Sequence, residues 1–188
     1  SYVGIIECLS GMPIDVEFIN FDDIKKGINP DIKVIINAGT AYTSWSGAEN
    51  WIDEEVLTTI RKWIDNGGGF IGVGEPTAYQ YQGKFFQLSD VLGVDKEVGF
   101  TLSHDSIYGH GENYQIIRQH KEFAQLVTNT YGAGRSVYLA GLPYSPQNCR
   151  LLLRAIYWAA AKEDEMKKYY VDNVNAEVAA FEAVGKIV

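Results

Sequence analysis

Apolar residues fall in short blocks along this chain, and their spacing alternates between a helical and an extended period. Tyr2, Val3, Ile5, Ile6 and Leu9 make a brief helical stripe that Gly11 and Pro13 stop. Residues 14–19 alternate apolar and acidic positions, which predicts a strand with one wetter face. A helical turn over 21–24 and the loop pair Asn29-Pro30 follow. Val34-Ile35-Ile36-Asn37-Ala38-Gly39 is a nearly continuous apolar run, as expected at the centre of a parallel sheet. The next loop, residues 40–50, carries Trp45 and leads into Trp51. Ile52, Val56, Leu57, Ile60, Trp63 and Ile64 then share one helical face. Asp53, Glu54 and Glu55 sit near that helix's positive end and Arg61 and Lys62 near its negative end, with Gly67 as the stop.

A buried strand is predicted over 70–74 and a short helix through Phe85, Phe86, Leu88, Val91 and Leu92 to Gly93. Residues 99–103 and 114–118 read as weaker strands around a Gly/His-rich loop, and 122–129 as a short helix or a turn. Residues 136–141 form another buried strand. Ser145-Pro146 opens a helix with apolar face Leu151, Leu152, Ala155, Ile156 and Ala159. Strands alternating with helices predict an α/β fold, a parallel sheet flanked by helices with right-handed crossovers. Residues 1–165 make one domain. Residues 166–188 read as a linker followed by a strand or hairpin with little core of its own. One feature is anomalous: an α/β domain should open on a strand, and this chain opens on a helix.

Composition narrows the function. A chain of 188 residues with net charge -8 lacks the basic footprint that nucleic acid requires. No apolar run approaches the ~20 residues of a membrane span, and no leader with a basic start is visible. A cytoplasmic, soluble domain is expected. Cys8 and Cys149 lack metal-ligand spacing and are expected to be reduced, buried, small apolar residues. The 12 Tyr and 4 Trp suit sugar sites, cores and subunit interfaces alike.

Candidate chemistry concentrates at Gly72-Val73-Gly74-Glu75-Pro76, a glycine turn at the carboxyl end of a strand, where open α/β sheets collect their ligands. A nucleophile elbow would hold Cys or Ser there; this chain has Gly74. No His follows the later strand, where Gly141-Leu142-Pro143-Tyr144 stands, so a catalytic triad is excluded. Glu75 has two readings: a group for a sugar hydroxyl or general base, or a structural acceptor for backbone amides of the following turn, which is preferred. His104, Asp105 and His110 lie in a Gly-rich loop without the spacing of a metal site. Gly67-Gly68-Gly69 precedes its strand, whereas a dinucleotide loop follows one. The segment from Trp45 to Trp51 projects from the same rim as Glu75, to stack on a sugar ring or to pack on another domain.

Several of these segments together carry a resemblance: Trp45-Ser46-Gly47-Ala48-Glu49-Asn50-Trp51, residues 67–78 (GGGFIGVGEPTA), 82–97 (QGKFFQLSDVLGVDKE) and 141–164. They resemble the central domain of the 1,3-β-galactosyl-N-acetylhexosamine (lacto-N-biose) phosphorylases. The resemblance implies a three-layer α/β/α fold with a mainly parallel sheet, of the class I glutamine amidotransferase-like (flavodoxin-like) kind. It also implies that the first strand lies upstream of Ser1. Family members join an N-terminal catalytic (β/α)8 barrel, this central domain and a C-terminal β domain. They cleave a β-1,3-galactosyl bond with phosphate, inverting to α-galactose 1-phosphate, without a metal or other cofactor. The resemblance therefore implies no catalytic residue and no metal ligand in this chain, with the barrel, the β domain and further copies as its partners. Trp45, Glu49, Glu75 and Tyr144 are the rim residues closest in kind to substrate contacts. The alternative is a stand-alone sugar-utilisation protein of the trehalose-utilisation type, whose members carry His where this chain has Gly74. A third reading, an enzyme using Glu75 with His104 or His110, requires those loops to converge.

Overall fold

The structure, a computed structural model, describes residues 2–99 and 104–166, together with the backbone of 182–183 and 186–187. Helix α1 (Tyr2–Ser10) is followed by an irregular stretch and by α2 (Phe21–Lys26). Asn20 caps α2: its side chain accepts from Asp23 N while the Asp23 carboxylate accepts from Asn20 N. Then come β1 (Val34–Gly39), a 3-10 turn (Ala48–Ile52), α3 (Glu54–Asp65) and β2 (Gly69–Gly74). Asp53 caps α3 at one end, accepting from Glu55 N. At the other end Gly67 N donates to Ile64 O and Gly68 N to Trp63 O, the paired bonds of a Schellman stop.

A hairpin of β3 (Ala78–Tyr81) and β4 (Lys84–Phe86) leads to α4 (Ser89–Leu92), closed by Gly93, and to β5 (Val94–Glu97). β6 (Ser106–Gly109), β7 (Gln115–His120), β8 (Phe123–Tyr131) and β9 (Gly134–Leu139) complete the sheet. α5 (Pro146–Ala159) then starts as predicted, with Ser145 accepting from Asn148 N and Pro146 in the first turn, and α6 (Glu163–Met166) ends the main body.

The sheet runs β1-β2-β9-β8-β6-β5, with β7 also paired to β8. One side is parallel, β1 with β2 and β2 with β9; β8 runs antiparallel to β9, β6 parallel to β8, and β5 antiparallel to β6. Alternating side chains feed two cores. Ile35, Phe70 and Tyr138 meet α2, α3 and α4 on one face. Ala38, Ile71, Val73, Val137 and Leu139 meet α1 and α5 on the other. This is a three-layer α/β/α arrangement.

Four readings of the sequence are corrected. Residues 14–19 are not a strand: they pair with none, and Val16 and Phe18 are exposed. Residues 122–129 are not a helix: 122 ends a turn, and 123–129 are most of β8, held between β7 and β9. Phe85 and Phe86 close a hairpin, and only Ser89–Leu92 is helical. Cys8 and Cys149 are joined in a disulfide between α1 and α5, with Cα atoms 4.9 Å apart, and are not free thiols. The strand expected over 99–103 falls largely outside the described residues, as does most of 166–188, where the pairs 182–183 and 186–187 form an antiparallel hairpin.

Candidate functional site

β1, β2 and β9 end together at Gly39, Gly74 and Leu139, and the loops that follow form the rim of the sheet. At its centre the chain bends through Gly74 with φ +81. A Cβ there would stand 2.9 Å from Gly39 O, so both the conformation and the close approach demand glycine. Glu75 N donates to that same carbonyl at 2.9 Å. The chain then enters the β3–β4 hairpin, not a helix. A nucleophile elbow aims its residue along the start of a helix, so this bend differs from one in geometry as well as in residue type.

Both oxygens of the Glu75 carboxylate are hydrogen-bonded. Oε2 accepts from Ala41 N at 2.8 Å and Oε1 from Lys96 Nζ at 2.7 Å. Lys96 comes from β5 and lies over the Phe85 ring, 4.9 Å from its centroid. Glu75 thus ties the loop after β1 to the far side of the domain, where the sequence suggested only amides of its own turn. Tyr138 donates its hydroxyl to Gly74 O at 3.2 Å. Burial, together with the nearby Glu75 charge, pushes this phenol well above the ordinary tyrosine range. Asn37, the one polar residue of β1, donates to Ser46 O at 3.1 Å and accepts from Thr77 N at 2.8 Å. Ser46 O also accepts from the indole of Trp51, and Ser46 Oγ donates to Thr40 O at 2.7 Å.

Outside this network lies an aromatic margin. Trp45 is 65% and Tyr144 60% exposed. α1 sits between their loops. The Tyr2 and Trp45 ring centroids are 4.9 Å apart, and Gly4 lies so close under the other loop that a Cβ would be 2.8 Å from Leu142 O. The structure therefore brings Trp45 and Tyr144 to opposite sides of one helix and anchors Glu75 beneath the Trp45 loop. Glu49, on the 3-10 turn, is exposed.

Neither His104 nor His110 is among the hydrogen-bond partners of Glu75, which are Ala41 N and Lys96 Nζ. His110 follows β6, which runs parallel to β8 and so ends at the edge of the sheet opposite Gly74. There it helps line a cleft of about 380 Å³ with Asp90, Glu112, Asn129 and Tyr131. His104 is exposed, just before β6. Among the described residues, no group of three or more His, Cys, Asp or Glu side chains is placed to hold a metal ion. No helix among them is long and apolar enough to cross a membrane.

Lys96, Tyr138 and Tyr2 escaped the sequence reading. Asn37 carried a signal, a lone polar residue in a buried strand. Lys96 carried none, because its contact with Glu75 depends on how β5 packs.

The lacto-N-biose phosphorylase central domain, as a family, matches residues 1–106 and 103–164. The chain belongs to that family. A 1,3-β-galactosyl-N-acetylhexosamine phosphorylase of Lachnoclostridium phytofermentans is 44% identical, over 99% of this chain and 29% of that protein. A D-galactosyl-β-1→4-L-rhamnose phosphorylase of the same organism is 31% identical, over 96% of this chain and 28% of its own length. The chain thus spans under a third of these curated relatives. Among solved structures, the cytoplasmic protein STM3548 of Salmonella typhimurium superposes with a TM-score of 0.57 at 14% identity, covering 82% of this chain and 85% of that one. That likeness shows the fold alone. The two matched segments overlap at residues 103–106. The alignment to the first relative runs over 213 positions, more than the 188 residues present, so that relative carries additional residues.

Proposed function

We propose that this central domain is a non-catalytic scaffold within a phosphorylase that cleaves β-1,3-galactosyl-N-acetylhexosamine with phosphate to α-galactose 1-phosphate. The observation that carries the reading is the occupation of Glu75. The carboxylate best placed for chemistry at the rim has one oxygen on a backbone amide and the other on Lys96. Each of its oxygens already holds a structural contact, and Gly74 beside it offers no nucleophile.

The substrate class comes from the names of the relatives, and those names differ in the acceptor sugar, N-acetylhexosamine in one and rhamnose in another. A shared central domain beside different acceptors fits a part that braces the protein without reading the acceptor. In this reading the exposed aromatic margin of Trp45 and Tyr144 faces the catalytic barrel or a second copy of the assembly, and the bond chemistry belongs to the barrel. Large exposed aromatic side chains around a rigid rim suit such an interface.

The rival is a stand-alone sugar-binding protein. Titrating the chain with lacto-N-biose, galacto-N-biose and phosphate in a calorimeter separates the two. The scaffold reading expects no binding heat at millimolar ligand; a saturable isotherm with Kd below about 1 mM would overturn it.

A further inference from the structure

Helix α1 is held to the domain in an unusual way. Its main packing partner is α5, against which it buries Ile5 and Cys8. The stretch after it, residues 14–19, pairs with no strand. Yet both rim loops rest on this helix, Trp45 through the Tyr2 ring and the 142–144 loop through Gly4. The Cys8–Cys149 disulfide joins α1 to the first turn of α5 across 141 residues of sequence. Links that close long loops remove the most freedom from the open chain, and they matter most where other anchors are few.

We propose that Cys8 and Cys149 form a redox-controlled strap that sets whether α1 stays clamped beneath the two rim loops. With the bond made, α1 holds the Trp45 and Tyr144 loops in one rigid margin. With it broken, α1 retains the packing of Ile5, Cys8, Leu9 and Tyr2 and the Gly4 approach but loses its covalent tie, and it opens locally far more often. Opening uncovers Leu142, which is otherwise fully buried. The chemistry is thiol–disulfide exchange with a low-molecular-weight disulfide. One cysteine thiolate attacks the small disulfide and releases a small thiol, and the second cysteine then displaces the other. Two protein thiols are oxidised, and one small disulfide is reduced to two thiols. In the reverse direction a small thiolate attacks at Cys149, which is half-buried, and Cys8, only 3% exposed, leaves; a second small thiolate then displaces Cys149 and forms the small disulfide. The inference goes beyond the scaffold reading and stands independently of it.

The test is amide hydrogen exchange on the chain equilibrated with oxidised or with reduced glutathione, with alkylation and mass measurement counting free thiols in each. The expected result is a closed disulfide under oxidised glutathione. On reduction, exchange should become faster on the order of tenfold or more across residues 2–10 and 140–145, while β2 and β9 stay unchanged. A Cys8→Ser, Cys149→Ser double variant should show the fast pattern in both buffers. Two free thiols under oxidised glutathione, or equal exchange across residues 2–10 and 140–145 in the two redox states, would overturn the proposal. So would a double variant that still responds to the buffer.

Discussion

A carboxylate at a strand's carboxyl end invites a catalytic reading, and Glu75 stands there in an ion pair that also ties down a backbone amide. Lys96 and Ala41 N occupy its two oxygens, and both members of the ion pair are largely shielded, with side chains 17% and 26% exposed. Removing one partner leaves the other poorly solvated, which costs more than the pair contributes net. Glu75→Ala should therefore destabilise the fold by about 1–3 kcal/mol. Glu75→Ala with Lys96→Met should be less destabilised than Glu75→Ala alone, as read by urea denaturation. Tyr138 supplies a pH dependence. Its phenol is raised in the folded state, so the stabilisation of the neutral form is complete below the ordinary tyrosine value and is lost as pH climbs from that value toward the raised one. Between pH ~8 and pH ~11, the wild-type unfolding midpoint should fall more than that of Tyr138→Phe. An equal fall in both would mean that Tyr138 does not carry this effect. At this scale the sequence exposed Gly74, Glu75 and Trp45 as unusual, because each breaks a local pattern. It could not expose Lys96, whose role depends on a contact 21 residues away.

Secondary structure was legible where local signals and tertiary packing agree. α3 has its cap, its apolar face and its stop in sequence order, and α5 has Ser145-Pro146. β8 was misread because Phe123, Leu126 and Val127 fall at helical spacing. Pairing on both sides, with Ala124 and Val127 fully buried, overrides that local pattern. The β3–β4 hairpin did carry a signal that went unread: the two-residue turn Gln82-Gly83, both at positive φ, is the primed turn that such hairpins favour. Residues 14–19 have a strand's alternation but no strand beside them, and pattern alone cannot supply a partner. Among the described residues, β1 accordingly has one open edge. Lys33 O and Gly39 O accept from the β2 side, so Val34, Ile36 and Ala38 point their backbone groups outward. In the isolated chain the amides of Val34, Ile36 and Ala38 should exchange faster than those of Ile35 and Asn37. Uniform protection along β1 would show that something covers this edge, such as a second copy paired strand to strand.

At the scale of the whole molecule, the sheet separates two cores, and the rim binds them into one body. Asn37, Glu75 and Tyr138 each link different segments of that rim. The layer order was readable from alternating strands and helices, whereas the disulfide was not, because a pairing across 141 residues has no local signature. The chain belongs to the lacto-N-biose phosphorylase central-domain family, and the proposal gives it a supporting role. The most direct test is to incubate the purified chain with lacto-N-biose and phosphate and to measure galactose 1-phosphate over time. The scaffold account predicts none above a protein-free control; release that grows with protein concentration and is lost in Glu75→Gln would contradict it.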